Sequence, residues 1–232
     1  MTTGKLMLVP AVVMYLTLIP CAGIFMYFRY KKKLLPEAIF KGISLWIIIG
    51  GALFAAKEMQ LGMFSLLIIA GLAMGLAGDV ALAMPSPGFT SGMAFFGLGH
   101  ICYISALILI SNNIIYSIPV FIVLYAAFIL FYRKTGMKPR ENLKIPILIY
   151  SMIIAFMLSL TMIMPLSTFP EGFILMFAGI LFVSSDILLL YNGFPNAGTL
   201  SGKPTAIDSQ GIISTSCYFL GQSFFAISIY FF

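Results

Sequence analysis

Charge is what this sequence lacks. Only 9% of its 232 residues are Asp, Glu, Lys or Arg, where a soluble domain carries about 25%. Thirteen basic and seven acidic side chains cannot coat a water-soluble protein of this length. The shortage excludes a soluble enzyme, a nucleic-acid reader and a disordered chain. Histidine is scarcer still. The single one, His100, rules out a three-histidine zinc site. No Cys/His cluster replaces it, so no metal is expected. Cys21, Cys102 and Cys217 all fall inside apolar runs. An odd set in such places does not form a disulfide framework, and the three read as small core hydrophobes. The chain also has no G-x-S-x-G elbow, no GxGxxG and no P-loop. A serine–histidine pair built from Ser184 or Ser185 with His100 has no motif behind it.

What the sequence has is apolar length. Hydrophobic residues make up 61% of it. They fall into eight runs, approximately 6–28, 39–56, 62–84, 92–110, 114–132, 144–164, 172–191 and 210–231. A bilayer core of roughly 30 Å takes about 20 apolar residues per helix. Eight such runs leave only short loops and no room for a soluble domain. The expected fold is an all-α membrane protein, an eight-helix transmembrane bundle forming one integral membrane domain over residues 1–232. The first run begins near Leu6 without a charged leader region or a small-residue cleavage site, so it reads as a retained helix.

The loops give an orientation. Of the 13 lysines and arginines, all but Lys5 and Lys57 fall at loops 1, 3, 5 and 7, counting Lys41 and Lys144 at helix entries. Basic residues gather on the cytoplasmic face. Loop 1 (Arg29 to Lys33) and loop 5 (Arg133 to Arg140) are therefore expected to be cytoplasmic, with both termini outside. A bacterial inner membrane is the expected location. Pro36, Glu37 and Lys41 open run 2, and Pro139, Glu141 and Lys144 open run 6. Runs 3 and 7 then each carry one aspartate near the inner end. This spacing suggests two four-helix halves.

Those two aspartates are the anomaly. A carboxylate inside the bilayer costs about 2.5–3.5 kcal/mol even on the lenient insertion scale. Asp79 and Asp186 lie in otherwise apolar stretches, with no charged neighbour on their own helices. At 1.5 Å rise per residue, each sits roughly 8 Å from the inner end of its run, and His100 roughly 12 Å into run 4. Lys41, Tyr150, Tyr218 and Gln222 join them in the cytoplasmic half, and the outer half is almost purely apolar. Gly71 and Gly75 read as sites of close helix packing. Burial disfavours a charged carboxyl group, and a second carboxylate disfavours it further. One of a buried pair can then donate a proton while the other stays ionised. That chemistry cleaves acetal-like C–O bonds through an oxocarbenium ion, and a membrane enzyme using it would act on a lipid ether. The rival reading is a proton-coupled transporter or channel for a small solute or lipid. A transporter needs polar groups along an access path on both sides, and here the outer half looks sealed.

Three motifs carry a family resemblance: Gly78-Asp79-Val80, then Phe95-Phe96-Gly97-Leu98-Gly99-His100-Ile101-Cys102-Tyr103, then Leu181-Phe182-Val183-Ser184-Ser185-Asp186. With Lys41, Tyr150 and Tyr218-Phe219-Leu220-Gly221-Gln222, they resemble the lysoplasmalogenase (YhhN) family over roughly residues 36–230. The family's closing Tyr-Tyr-Leu-Ala-Gln is altered at Phe219 and Gly221, and Lys41 is followed by Gly42 rather than the frequent proline. Neither departure removes a charged group. The resemblance implies an eight-helix membrane hydrolase with no cofactor. Its members cleave the vinyl-ether bond of lysoplasmalogens, giving a fatty aldehyde and glycerophosphoethanolamine or glycerophosphocholine. It further implies Asp79, Asp186 and His100 as the catalytic set. Lys41 is expected either at the substrate phosphate or as a snorkelling lysine of the cytoplasmic face, and Tyr103, Tyr150, Ser185, Tyr218 and Gln222 around the lysophospholipid. The lipid bilayer is the other expected partner, and nucleic acid is not one.

Overall fold

A computed structural model describes residues 3–31, 33–59, 61–84, 88–136, 139, 141–193 and 209–232. Among them are eight α-helices and no strand: α1 (Thr3–Tyr30), α2 (Leu34–Glu58), α3 (Met63–Ala83), α4 (Gly88–Ile110), α5 (Ser117–Thr135), α6 (Glu141–Ser167), α7 (Gly172–Gly193) and α8 (Ser209–Ser228). The apolar runs thus appear as an all-α structure, with most helices reaching a few residues beyond the expected bounds. The extensions take in polar ends such as Arg29, Glu37 and Glu141, since an α-helix continues until its capping residues, not until its hydropathy falls. Lys32, Lys138, Arg140, Lys203 and most of the long seventh loop lie outside the described residues.

Among the described residues seven helices are long and apolar enough to cross a membrane, and the protein is an integral multi-pass membrane protein. The helix outside that set is α8, which is rich in serine and carries Thr215 and Gln222. Its polar side chains Ser214, Thr215, Gln222, Ser223 and Ser228 are buried.

The chain divides into two compact units, one of residues 1–110 and 222–232, the other of residues 111–221. In the first, α1 packs on α2, α2 on α3, and α3 most extensively on α4. Small residues make the last contact close. A Cβ on Gly71 would lie 2.3 Å from Cε1 of Tyr103, and a Cβ on Gly99 would lie 3.1 Å from the Gly71 carbonyl oxygen and 3.8 Å from the Gly75 nitrogen. Gly71 therefore serves helix packing, as expected, and Gly99 does so from α4. Arg29 and Glu37 pair at 3.6 Å across the α1–α2 turn.

In the second unit α6 is central. It packs on both α5 and α7. The α5 side chains Ile118, Ile122, Val123 and Leu130 remain exposed, a surface suited to lipid. Buried hydroxyls on α6 are satisfied inside their own helix: Ser151 donates to the Leu148 carbonyl, Ser159 to Phe156 and Thr161 to Leu158, at 2.7–2.8 Å. They are structural polar groups, not site residues. Gly179 lets α7 approach this helix, since a Cβ there would lie 2.1 Å from Thr161 Oγ1. Thr161 is short, fully buried and already bonded, so it cannot swing away. Gly179→Ala is expected to destabilise the protein by roughly 1–3 kcal/mol, read as a lower melting temperature in detergent. An unchanged melt would mean that the helices separate at no cost.

Candidate functional site

The residues singled out by the sequence are placed in two constellations, one in each unit. In the first, Lys41 on α2 reaches Asp79 on α3, its ammonium Nζ donating to Oδ1 in a short ion pair. The lysine side chain is 26% exposed and the aspartate 6%. The long lysine stem thus carries its charge from a partly solvated position to a buried carboxylate. Helix α3 itself supplies Asp79 with only glycine, alanine and aliphatic neighbours, so the counter-charge comes from α2. Sequence leaves Lys41 at a substrate phosphate or at the interface as a snorkelling lysine, and the pairing with Asp79 is neither.

On α4, His100 and Tyr103 are both buried. Their rings meet edge-on, with centroids 6.5 Å apart. Tyr103 Oη donates to Gln222 Oε1 at 2.5 Å, and its ring stacks on Phe225 at 4.1 Å with the planes 7° apart. Gly71 leaves the space that the tyrosine ring fills. The ring is therefore held from both sides, and its hydroxyl is aimed at one amide.

In the second unit Tyr150 on α6 donates its phenolic hydrogen to Asp186 Oδ2 on α7 at 2.9 Å. Both side chains are buried. The neighbouring Ser185 lies 3.3 Å, Oγ to Oγ, from Ser214 on α8, whose hydroxyl also bonds the Ser185 carbonyl at 3.1 Å. Tyr218 packs edge-on against Phe182, centroids 5.4 Å apart. Gly221 keeps α8 close to α7, as a Cβ there would lie 3.0–3.2 Å from backbone atoms of Ala178 and Phe182.

The expected site residues thus form contacts in each unit, Lys41 with Asp79, Tyr103 with His100 and Gln222, and Tyr150 with Asp186. The bond from a second helix to the aspartate of a third recurs in both units. The lysine does not recur. Lys144 instead bonds Glu141 of its own helix at 2.6 Å, in an exposed pair. Ser214 and Phe225 are not among the expected site residues. A signal for both was present: Ser214, Tyr218, Gln222 and Phe225 are spaced four, four and three residues apart, one face of a helix.

Chemically, the arrangement supplies carboxyl groups inside apolar helices, one with an ammonium partner and one with a phenol donor. Such groups can hold, release and receive protons away from bulk water. Among the described residues no three His, Cys, Asp or Glu side chains gather to hold a metal ion.

Neither a curated protein nor a solved structure matches the chain. The model of the YhhN family matches residues 37–229, a stretch that includes every site residue named above. The chain therefore belongs to the YhhN family, the family that includes lysoplasmalogenases.

Proposed function

We propose that the protein hydrolyses the vinyl-ether bond of lysoplasmalogens, releasing a fatty aldehyde and a glycerophospho-base. The observation that carries the reading is that the aspartates of α3 and α7, buried in apolar helices, are each held by a proton-donating side chain from another helix. The family is associated with hydrolase activity, and the reaction asks for a buried acid and a buried carboxylate.

The chemistry runs through general acid–base steps. A carboxylic acid protonates the vinyl carbon remote from oxygen, and the ether becomes an oxocarbenium ion. Water adds to that cation and gives up a proton to a carboxylate. The hemiacetal then collapses to aldehyde and alcohol, so one water is consumed and no proton is gained or lost. An ammonium partner favours the ionised form of a carboxylate. Asp79, paired with Lys41, is accordingly assigned as the carboxylate, and Asp186 as the acid. His100 is assigned to moving protons or holding the water. Lys41 acts through Asp79 in this scheme, in place of the phosphate contact expected from sequence. The described basic positions at the α1–α2 turn and the end of α5, Arg29, Lys31, Lys33, Arg133 and Lys134, support a cytoplasmic location for these loops.

The test is direct. Purified protein in detergent is incubated with an alkenyl lysophospholipid, and aldehyde is measured. Aldehyde should form from the vinyl ether and not from the saturated ether analogue, which cannot give the oxocarbenium ion by carbon protonation. No aldehyde, or equal consumption of both lipids, overturns the reading. Solute or proton flux without aldehyde is the result a transporter would give.

A further inference from the structure

The amide of Gln222 is half satisfied. Its side chain is fully buried. Its Oε1 accepts the hydrogen of Tyr103 Oη, and its Nε2 has no hydrogen-bond partner among the described residues. A buried amide N–H without an acceptor costs free energy comparable to a lost hydrogen bond or more. The surroundings offer little relief. Tyr103 and Phe225 are stacked rings, and Ala226, four residues on along α8, is a buried apolar side chain.

The bond to Tyr103 sets which end of the amide is left over. With Tyr103 Oη donating, the carbonyl end of the amide is the end that faces the tyrosine. Tyr103 is fixed in turn between Phe225 and the gap at Gly71. In this arrangement Oε1 faces the tyrosine and the donor end, Nε2, is directed away from it. A fixed, buried, uncharged N–H donor selects an acceptor atom, and its neutrality suits an uncharged oxygen. A buried anion would call for a cation, and the ammonium of Lys41 in this unit is on Asp79.

We infer that Gln222 Nε2 donates to the free glycerol hydroxyl of the lysolipid, and that Tyr103 is the positioning residue that fixes this amide. The inference rests on the vinyl-ether reading above. The choice of hydroxyl over ether oxygen follows from the chemistry. The ether oxygen loses electron density as the oxocarbenium ion forms, so a donor placed on it would favour the ground state and slow the reaction. A donor on the hydroxyl holds the substrate without that penalty. It also gives the protein a way to recognise the one-chain lipid, because the hydroxyl is what distinguishes it from the two-chain form.

The test compares an alkenyl lysophospholipid with its analogue lacking the glycerol hydroxyl, in the parent protein, Gln222→Met and Tyr103→Phe. Methionine conserves volume and removes only the amide. Phenylalanine keeps the stack on Phe225. The parent should prefer the hydroxyl substrate by roughly 10- to 100-fold in kcat/KM. Gln222→Met should bring that ratio to near one, and Tyr103→Phe should leave it in between. A merely structural role would lower both substrates together and leave the ratio unchanged, which overturns the inference. So does a parent that cleaves both lipids equally. Binding of the saturated ether lysolipid and its deoxy analogue, read as ligand-induced shifts in melting temperature, gives the same comparison without turnover. A parent that releases no aldehyde but binds the hydroxyl form more tightly sinks the vinyl-ether reading and keeps the contact. Equal binding in that case overturns the contact as well.

Discussion

Replacing Asp186 by asparagine is expected to lower aldehyde release on the order of a thousandfold, within the usual range for removing a general acid, and to leave the melting temperature nearly unchanged. Asparagine has the same shape, and its amide oxygen can accept from Tyr150 as Asp186 Oδ2 does. The α6–α7 contact is then preserved and only the transferable proton is lost. This separation of activity from folding is available because Tyr150 is a neutral donor, and an amide oxygen can accept its hydrogen as a carboxyl oxygen does. Full turnover by a folded Asp186→Asn variant would remove the residue from the reaction.

Lys41→Met should behave differently, because here the partner is an ion. Removing the ammonium leaves the Asp79 carboxylate, only 6% exposed, without the charge that faces it on α2. Breaking a buried pair on one side costs about 3–5 kcal/mol. With Lys41 a quarter exposed, the lower end, about 3 kcal/mol, is expected. Adding Asp79→Asn to Lys41→Met should recover most of that stability, since no lone charge remains. Activity should stay lost in both variants and in Asp79→Asn alone. Thermal melts and aldehyde release on the three proteins measure this. If Lys41→Met melts with the parent, the pair contributes nothing to the fold. If the double variant is active, Asp79 is not the carboxylate of the reaction.

Much of this molecule was legible in its sequence, and the illegible part has a physical cause. Eight helices followed from apolar length, because a bilayer admits few other ways to satisfy a backbone. Asp79, Asp186 and His100 stood out because polar groups in such runs are costly. Which groups meet was another matter. Asp79 lies 38 residues from Lys41 and Asp186 36 residues from Tyr150, while Gln222 lies 119 residues from Tyr103. Periodicity fixes the face of a helix but not the register of one helix against the next. That register depends on close approaches such as Gly71 against Tyr103 and Gly179 against Thr161, whose fit no single helix encodes. The lysine at the mouth of run 2 was thus readable as a cation near the interface, but not as a neighbour of Asp79. The long seventh loop carried no periodic signal of any kind.

The buried polar side chains of α8 bear on how the protein is made. A segment carrying Ser214, Thr215, Gln222, Ser223 and Ser228 gains less from leaving water than any of the other seven helices, and a translocon releases such a segment into lipid poorly when it is alone. Its polar groups are acceptable in the bilayer once other helices cover them. Ser185 meets Ser214, Tyr103 meets Gln222, and Gly221 allows the backbone of α7 to lie alongside. Entry of α8 into the membrane is therefore expected to depend on docking, with α7 as its companion. Substitutions that spoil these contacts should show first as failed insertion and low yield in the membrane fraction, before any loss of catalysis can be measured.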